Sequence, residues 1–146
     1  MTAHFDLKMM KNDQQKVTQR LDLPMPTDFA KQLRLAGLRP TRQRVAIAAL
    51  LLDGRHRHVS ADSLIEEITA AGLQVSSGTV YNTLNQFTDA GLLRRVVVHN
   101  EYSLFDTNID HHHHFYEASN DQLVDIPSDD VILAKLPQAP DGHEIK

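Results

Sequence analysis

Four glycines, Gly37, Gly54, Gly72 and Gly91, each close an apolar-patterned helical run, and after the last the pattern turns from helical to extended. Helices first and strands afterwards describe an α+β chain rather than an alternating one. The first run spans Asp28 to Ala36, with Phe29, Leu33 and Ala36 on one face and Gly37 as its C-cap. Thr41 caps the second after Pro40, with Val45, Ala48, Ala49 and Leu52 as its apolar stripe. Ser60 caps the third, which turns Leu64, Ile65, Ile68 and Ala71 inward. Ser76 or Ser77 caps the fourth, where Val80, Leu84 and Phe87 line the core side.

The third and fourth runs are joined by four residues, the length of a helix-turn-helix connection whose second member enters a major groove. Beyond Gly91, Arg94-Arg95-Val96-Val97-Val98 and Tyr102-Ser103-Leu104-Phe105 flank His99-Asn100-Glu101, which predicts a hairpin wing. The expected organisation is an N-terminal extension over 1–28, a winged helix over 29–107, and a small α/β dimerisation and effector-sensing domain over 108–146. The extension carries Lys8, Lys11, Lys16 and Arg20 before Pro24 and Pro26. In the last domain a short helix is expected over Asp130 to Leu136, and Glu144-Ile145-Lys146 reads as a strand cut off at its beginning.

Net charge is −4, but its placement is uneven. Lys31 to Arg57 holds seven basic residues against Asp53, whereas His111 to Lys146 holds seven acids against two lysines. A basic helical half followed by an acidic half fits double-stranded DNA at the first and a second copy of the chain at the other. In the fourth helix Ser76, Ser77, Thr79, Tyr81 and Asn82 give the small and polar surface that a recognition helix needs at its first turns. Tyr81 suits thymine methyls or phosphate, and Asn82 suits the two-bond reading of adenine. Arg39, Arg42 and Arg44 suit phosphate, which positions a protein without specifying sequence.

Asp110 precedes four consecutive histidines, His111, His112, His113 and His114, in a chain without cysteine. Thiolate zinc sites, disulfides and cysteine nucleophiles are thereby excluded, and any metal is held by nitrogen and oxygen. On a strand, side chains alternate, so His112 and His114 share one face and His111 and His113 the other. Each pair is spaced for one metal ion or a haem iron, and residue chemistry leaves both effectors open. An enzyme reading, a metallohydrolase using these histidines with Asp106 or Asp110, stands beside the regulator. No nucleophile elbow, Gly-rich phosphate loop or His-Glu-x-x-His motif supports it. No apolar run nears the roughly 18 residues of a membrane span, so a soluble, cytoplasmic protein is expected.

Gly37-Leu38-Arg39-Pro40-Thr41-Arg42-Gln43-Arg44, His58-Val59-Ser60-Ala61-Asp62, Gly78-Thr79-Val80-Tyr81-Asn82-Thr83-Leu84 with Gly91-Leu92, and the histidine run together resemble the ferric uptake regulator family. The resemblance implies a homodimer whose winged helices bind AT-rich palindromic operators. It implies a metal site of His58, Asp106, His112 and His114, with Asp125 as a further ligand. The family's Cys-x-x-Cys positions hold Glu117 and Asn120, so no structural zinc is expected. That loss, and His113 in place of an aspartate, are most similar to the alphaproteobacterial iron response regulators. The likeness to that branch implies control of haem biosynthesis, iron uptake and iron storage genes, with haem bound by His111 to His114 and releasing DNA. The alternative is a corepressor-type regulator using ferrous iron, manganese or zinc. The family's final strand is longer, which marks the C-terminus here as shortened or truncated.

Overall fold

The computed structural model describes residues 26–100 and 102–145, so most of the expected N-terminal extension, together with Glu101 and Lys146, lies outside the described residues. The chain divides into two compact units, Met1–Ile109 and Asp110–Lys146.

The first unit runs α1 (Pro26–Leu35), α2 (Arg42–Leu51), β1 (His58–Val59), α3 (Ala61–Ala70), α4 (Ser77–Asp89), β2 (Arg94–His99) and β3 (Tyr102–Asp106). Hydroxyl caps start three of the helices: Thr41 accepts from Arg44 N–H, Ser60 from Ser63 N–H, and Ser76 from Thr79 N–H. Each satisfies one of the backbone donors that a helix start leaves without an intrahelical partner. Ser60 and Ser63 complete a reciprocal capping box, and Ser76 rather than Ser77 caps α4. Gly91 ends α4 at φ +74°, where a left-handed residue lets Leu92 N–H reach the Phe87 carbonyl at 2.8 Å.

The core gathers Phe29 and Leu33 of α1, Ile47 and Leu51 of α2, Leu64 and Ile68 of α3, and Val80, Leu84 and Phe87 of α4. Phe87 is fully buried, and truncating such a ring costs roughly 3–5 kcal/mol. The expected stripe on α2 is corrected. Ile47, Ala48 and Leu51 are its buried residues, whereas Ala49 is exposed. Apolar residues occupy most sides of Val45 to Leu51, so helical spacing alone does not select the inward face.

The wing has three strands, in the order β1-β3-β2. The two-residue β1 was not expected from sequence, being too short for an alternation pattern. It pairs antiparallel with β3, placing His58 opposite Asp106 and Val59 opposite Phe105. Thr107 extends this edge, its N–H donating to the Arg57 carbonyl and its hydroxyl accepting from Arg57 N–H.

The second unit is a hairpin of β4 (His112–Glu117) and β5 (Gln122–Pro127), followed by a 3-10 turn over Ser128–Asp130. Its turn is closed by polar groups: Tyr116 hydroxyl donates to Asp121 Oδ1 at 2.5 Å, while Ser119 and Asn120 donate to the Glu117 carboxylate. The helix expected over Asp130 to Leu136 does not form, and Val131 is already extended at φ −115°, ψ 112°. Pro137 restrains Leu136, Val131 and Ile132 are β-branched, and seven residues are too few to nucleate a helix without packing. The strand expected at Glu144-Ile145 is likewise not formed. Phe115 and Val124, cross-strand partners, are 67% and 58% exposed.

Candidate nucleic-acid interface and metal-ligand sets

Helix α4 buries Val80, Thr83, Leu84 and Phe87 and leaves Ser77, Tyr81, Asn82 and Asn85 exposed. Ser76 and Thr79, both expected at the interface, are engaged in the cap: their hydroxyl oxygens lie 2.9 Å apart. Tyr81 hydroxyl donates to Asp62 Oδ1 at 3.0 Å, reaching from the start of α4 to the first turn of α3. The Asp62 carboxylate raises the Tyr81 hydroxyl above its ordinary 10.0, mainly through that bond, so the phenol keeps its proton at neutral pH.

The three arginines separate into two groups. Arg39 and Arg42 are exposed, and Arg42 borders a surface hollow of about 450 Å³ with Gln43, Gly72 and Gln74. Arg44 is engaged inside the unit instead. Its Nη1 donates to the Arg39 carbonyl at 2.7 Å, and its Nε and Nη2 both donate to Gln86 Oε1. Gln86 and Asp62 were missed as contributors. Gln86 sits one turn beyond Asn82 on α4, a spacing visible in the sequence, whereas nothing local announces the Asp62 contact with Tyr81.

Two sets of potential ligands lie in separate units. In the first, the β1–β3 register brings His58 Nε2 to 3.5 Å from Oδ2 of Asp106. Asp106 is fully buried, and its Oδ1 accepts from Asn108 N–H at 2.8 Å, which fixes the carboxylate. In the second, His114 faces Asp125 across the hairpin and His112 follows on the same side. His112 Nε2 and His114 Nε2 are 2.9 Å apart, and Asp125 Oδ1 is 3.4 Å and 3.5 Å from them. His111 and His113 are exposed, so the strand divides the four histidines by parity.

The second set fits a cation on one particular observation. His112 Nδ1 is 2.7 Å from the Asp110 carbonyl, which can only accept, so Nδ1 carries the proton and Nε2 presents its lone pair toward Asp125. Among the described residues, His58, Asp106, His112, His114 and Asp125 are candidate donors, all nitrogen and oxygen, and the sequence has no cysteine. That donor set accepts ferrous iron, manganese or zinc and offers nothing to a thiolate-type structural zinc.

The pattern of the ferric uptake regulator family matches residues 35–144. The chain belongs to that family. It is therefore a DNA-binding, metal-binding transcriptional regulator with a winged helix, and not an enzyme. The ferric uptake regulation protein of Shigella flexneri is 34% identical over 121 residues, 82% of this chain and 81% of the relative. The ferric uptake regulator of Vibrio cholerae, solved with its DNA-binding domains rearranged, superposes with a TM-score of 0.62 at 30% identity, covering 68% of this chain and 77% of that one. The Pseudomonas aeruginosa regulator with manganese gives 0.59 at 31% identity, over 69% and 76%. Among the described residues no helix is long and apolar enough to cross a membrane.

Proposed function

We propose that this regulator is a homodimer that binds AT-rich palindromic operators and takes a divalent metal ion, ferrous iron or manganese, as corepressor. The observation that carries it is the convergence of His112 Nε2, His114 Nε2 and Asp125 Oδ1, with the His112 tautomer set by the Asp110 carbonyl. Unit 110–146 is the dimerisation and effector-sensing part, and unit 1–109 carries the DNA-reading helix α4. His58 and Asp106 of the first unit are proposed as metal ligands as well, and metal occupancy is coupled to operator binding. The ion supplies positive charge and directional bonds, and the imidazoles and carboxylates supply the selectivity for hard or borderline cations. A coupling of about 1–3 kcal/mol changes operator affinity roughly 5-fold to 150-fold.

The manganese carried by the Pseudomonas aeruginosa relative and the iron carried by that of Francisella tularensis support an ion of this class. The carboxylates Asp106 and Asp125 support it as well, since oxygen donors accompany the imidazoles. The finer reading, an iron response regulator of the alphaproteobacterial kind released from DNA by haem, rests on His113 and on Glu117 and Asn120 at the family's cysteine positions. Control of haem biosynthesis, iron uptake and iron storage genes belongs to that same proposal. The deciding experiment titrates operator binding of the full chain with ferrous, manganese and zinc ions and, separately, haem. The corepressor reading expects a divalent ion to raise affinity and His112→Ala/His114→Ala to abolish the effect. Haem-induced release through the same residues, with no divalent effect, replaces it by the haem reading.

A further inference from the structure

The hydrogen bond between Tyr81 and Asp62 sets a direction. A tyrosine hydroxyl has one proton to donate, and a carboxylate at neutral pH only accepts. Donation to Asp62 Oδ1 at 3.0 Å therefore leaves the Tyr81 oxygen as an acceptor toward anything approaching from solvent. Tyr81 is 46% exposed and Asp62 is exposed as well, so the pair is open to a ligand of this surface. Asp62 lies in the first turn of α3, a place that suits its negative charge independently of Tyr81. A hollow of about 240 Å³ adjoins the pair, lined also by Asn85, Arg95 and Tyr102, with Arg95 Nε donating to Ser103 Oγ.

In a major groove, phosphate oxygens, thymine O4, guanine O6 and purine N7 all accept, whereas the exocyclic amino groups of adenine and cytosine donate. An oxygen that can only accept has no hydrogen bond to offer the first group. We propose that Asp62 is a specificity-determining residue that acts through Tyr81: by accepting the hydrogen bond from its O–H, it makes the phenol oxygen a reader of a base amino group and withdraws it from phosphate. Asp62 thereby supplies a positioning role that its place at a helix start does not require. The inference rests on α4 being the DNA-reading helix, as proposed above.

The test uses the full chain with manganese and a duplex that it selects from a random pool. Adenines are replaced one at a time by purine and cytosines by 2-pyrimidinone, each lacking only the amino group. The wild type should lose about threefold to tenfold in affinity at one position of each half-site, the worth of one hydrogen bond. Tyr81→Phe and Asp62→Ala should be insensitive at that position, while Asp62→Asn, which keeps a carbonyl acceptor, retains the sensitivity. A role of Asp62 confined to the start of α3 would shift unfolding temperature without moving this position-specific readout. Sensitivity that persists in Asp62→Ala, or wild-type indifference to every amino deletion, overturns the inference while leaving sequence-specific binding intact. Equal affinity for selected and scrambled duplexes overturns the DNA-reading assignment of α4 beneath it.

Discussion

Arg44 of α2 holds Gln86 of α4 with two guanidinium bonds to one oxygen, Nε at 3.1 Å and Nη2 at 2.7 Å. The pair is partly buried and fastens the scaffold helix to α4 one turn beyond exposed Asn82. Arg44 is thus engaged as an internal brace, in contrast to exposed Arg42. Arg44→Met should lower stability by about 1–3 kcal/mol, since Gln86 Oε1 loses charged donors. Arg44→Lys should recover only part, because an ammonium lacks the planar fork. Arg42→Ala should leave denaturant unfolding unchanged and weaken operator and scrambled DNA alike. An Arg44→Met protein with wild-type stability would remove the bracing role.

Metal uptake should depend on the hairpin pair. Calorimetric titration with manganese is expected to show a tight site lost in His112→Ala/His114→Ala and weakened in Asp125→Asn. Asp110 contributes through its backbone carbonyl, so Asp110→Asn should leave affinity nearly unchanged while Asp110→Pro, which alters the backbone that orients His112, should reduce it.

Removing metal should not unfold the chain. The hairpin turn is closed by Tyr116, Glu117, Asn120 and Asp121 where a cysteine-zinc knot would otherwise serve. After exhaustive chelation the far-ultraviolet circular dichroism should persist, and added manganese should raise the midpoint of unfolding in proportion to the logarithm of its concentration. Loss of all secondary structure on chelation would contradict this account.

The exposed Phe115 and Val124 face should be covered by a second copy. Phe115→Glu is expected to yield monomers in analytical ultracentrifugation, with operator affinity falling because only one recognition helix then engages. A dimer of unchanged stability would place the interface elsewhere.

Asp53 lies before β1, with its carboxyl held below the ordinary 3.8 chiefly by the side-chain hydrogen bond from Arg55, against a smaller opposing effect of burial. A depressed folded-state value adds stability that is present above the unfolded carboxylate's pKa and lost as pH falls through the folded one. The stability gap between wild type and Asp53→Asn should therefore be about 0.2–1 kcal/mol at neutral pH and close below about pH 4. A gap that is the same at pH 7 and pH 3 would exclude this ion pair as its source.

Much of the molecule was legible where the information is local. The caps at Thr41 and Ser60, a cap at Ser76 or Ser77, the stop at Gly91 and the strand character of β2 follow from preferences acting over a few residues. The family-derived ligands were legible as residue types, and the parity of the histidine run followed from the pleat. Less legible were the inward face of α2, where apolar residues leave no contrast, and the segment after Pro127, where apolar content without packing suggested a helix that does not form.

By itself, then, the sequence determined the caps at Thr41 and Ser60 and the stop at Gly91, that His112 and His114 share a side, and that no thiolate takes part, because chain stereochemistry and composition decide these over short spans. Only the tertiary structure decided that Asp106 stands opposite His58, that Arg44 turns inward to Gln86, and that Tyr81 donates its hydrogen bond to Asp62. The members of the last two pairs lie 42 and 19 residues apart, and their meeting depends on helix packing, as that of His58 and Asp106 depends on strand register. Those are properties of the closed chain, in which apolar burial and backbone pairing choose the neighbours and each polar side chain takes the partner left within reach.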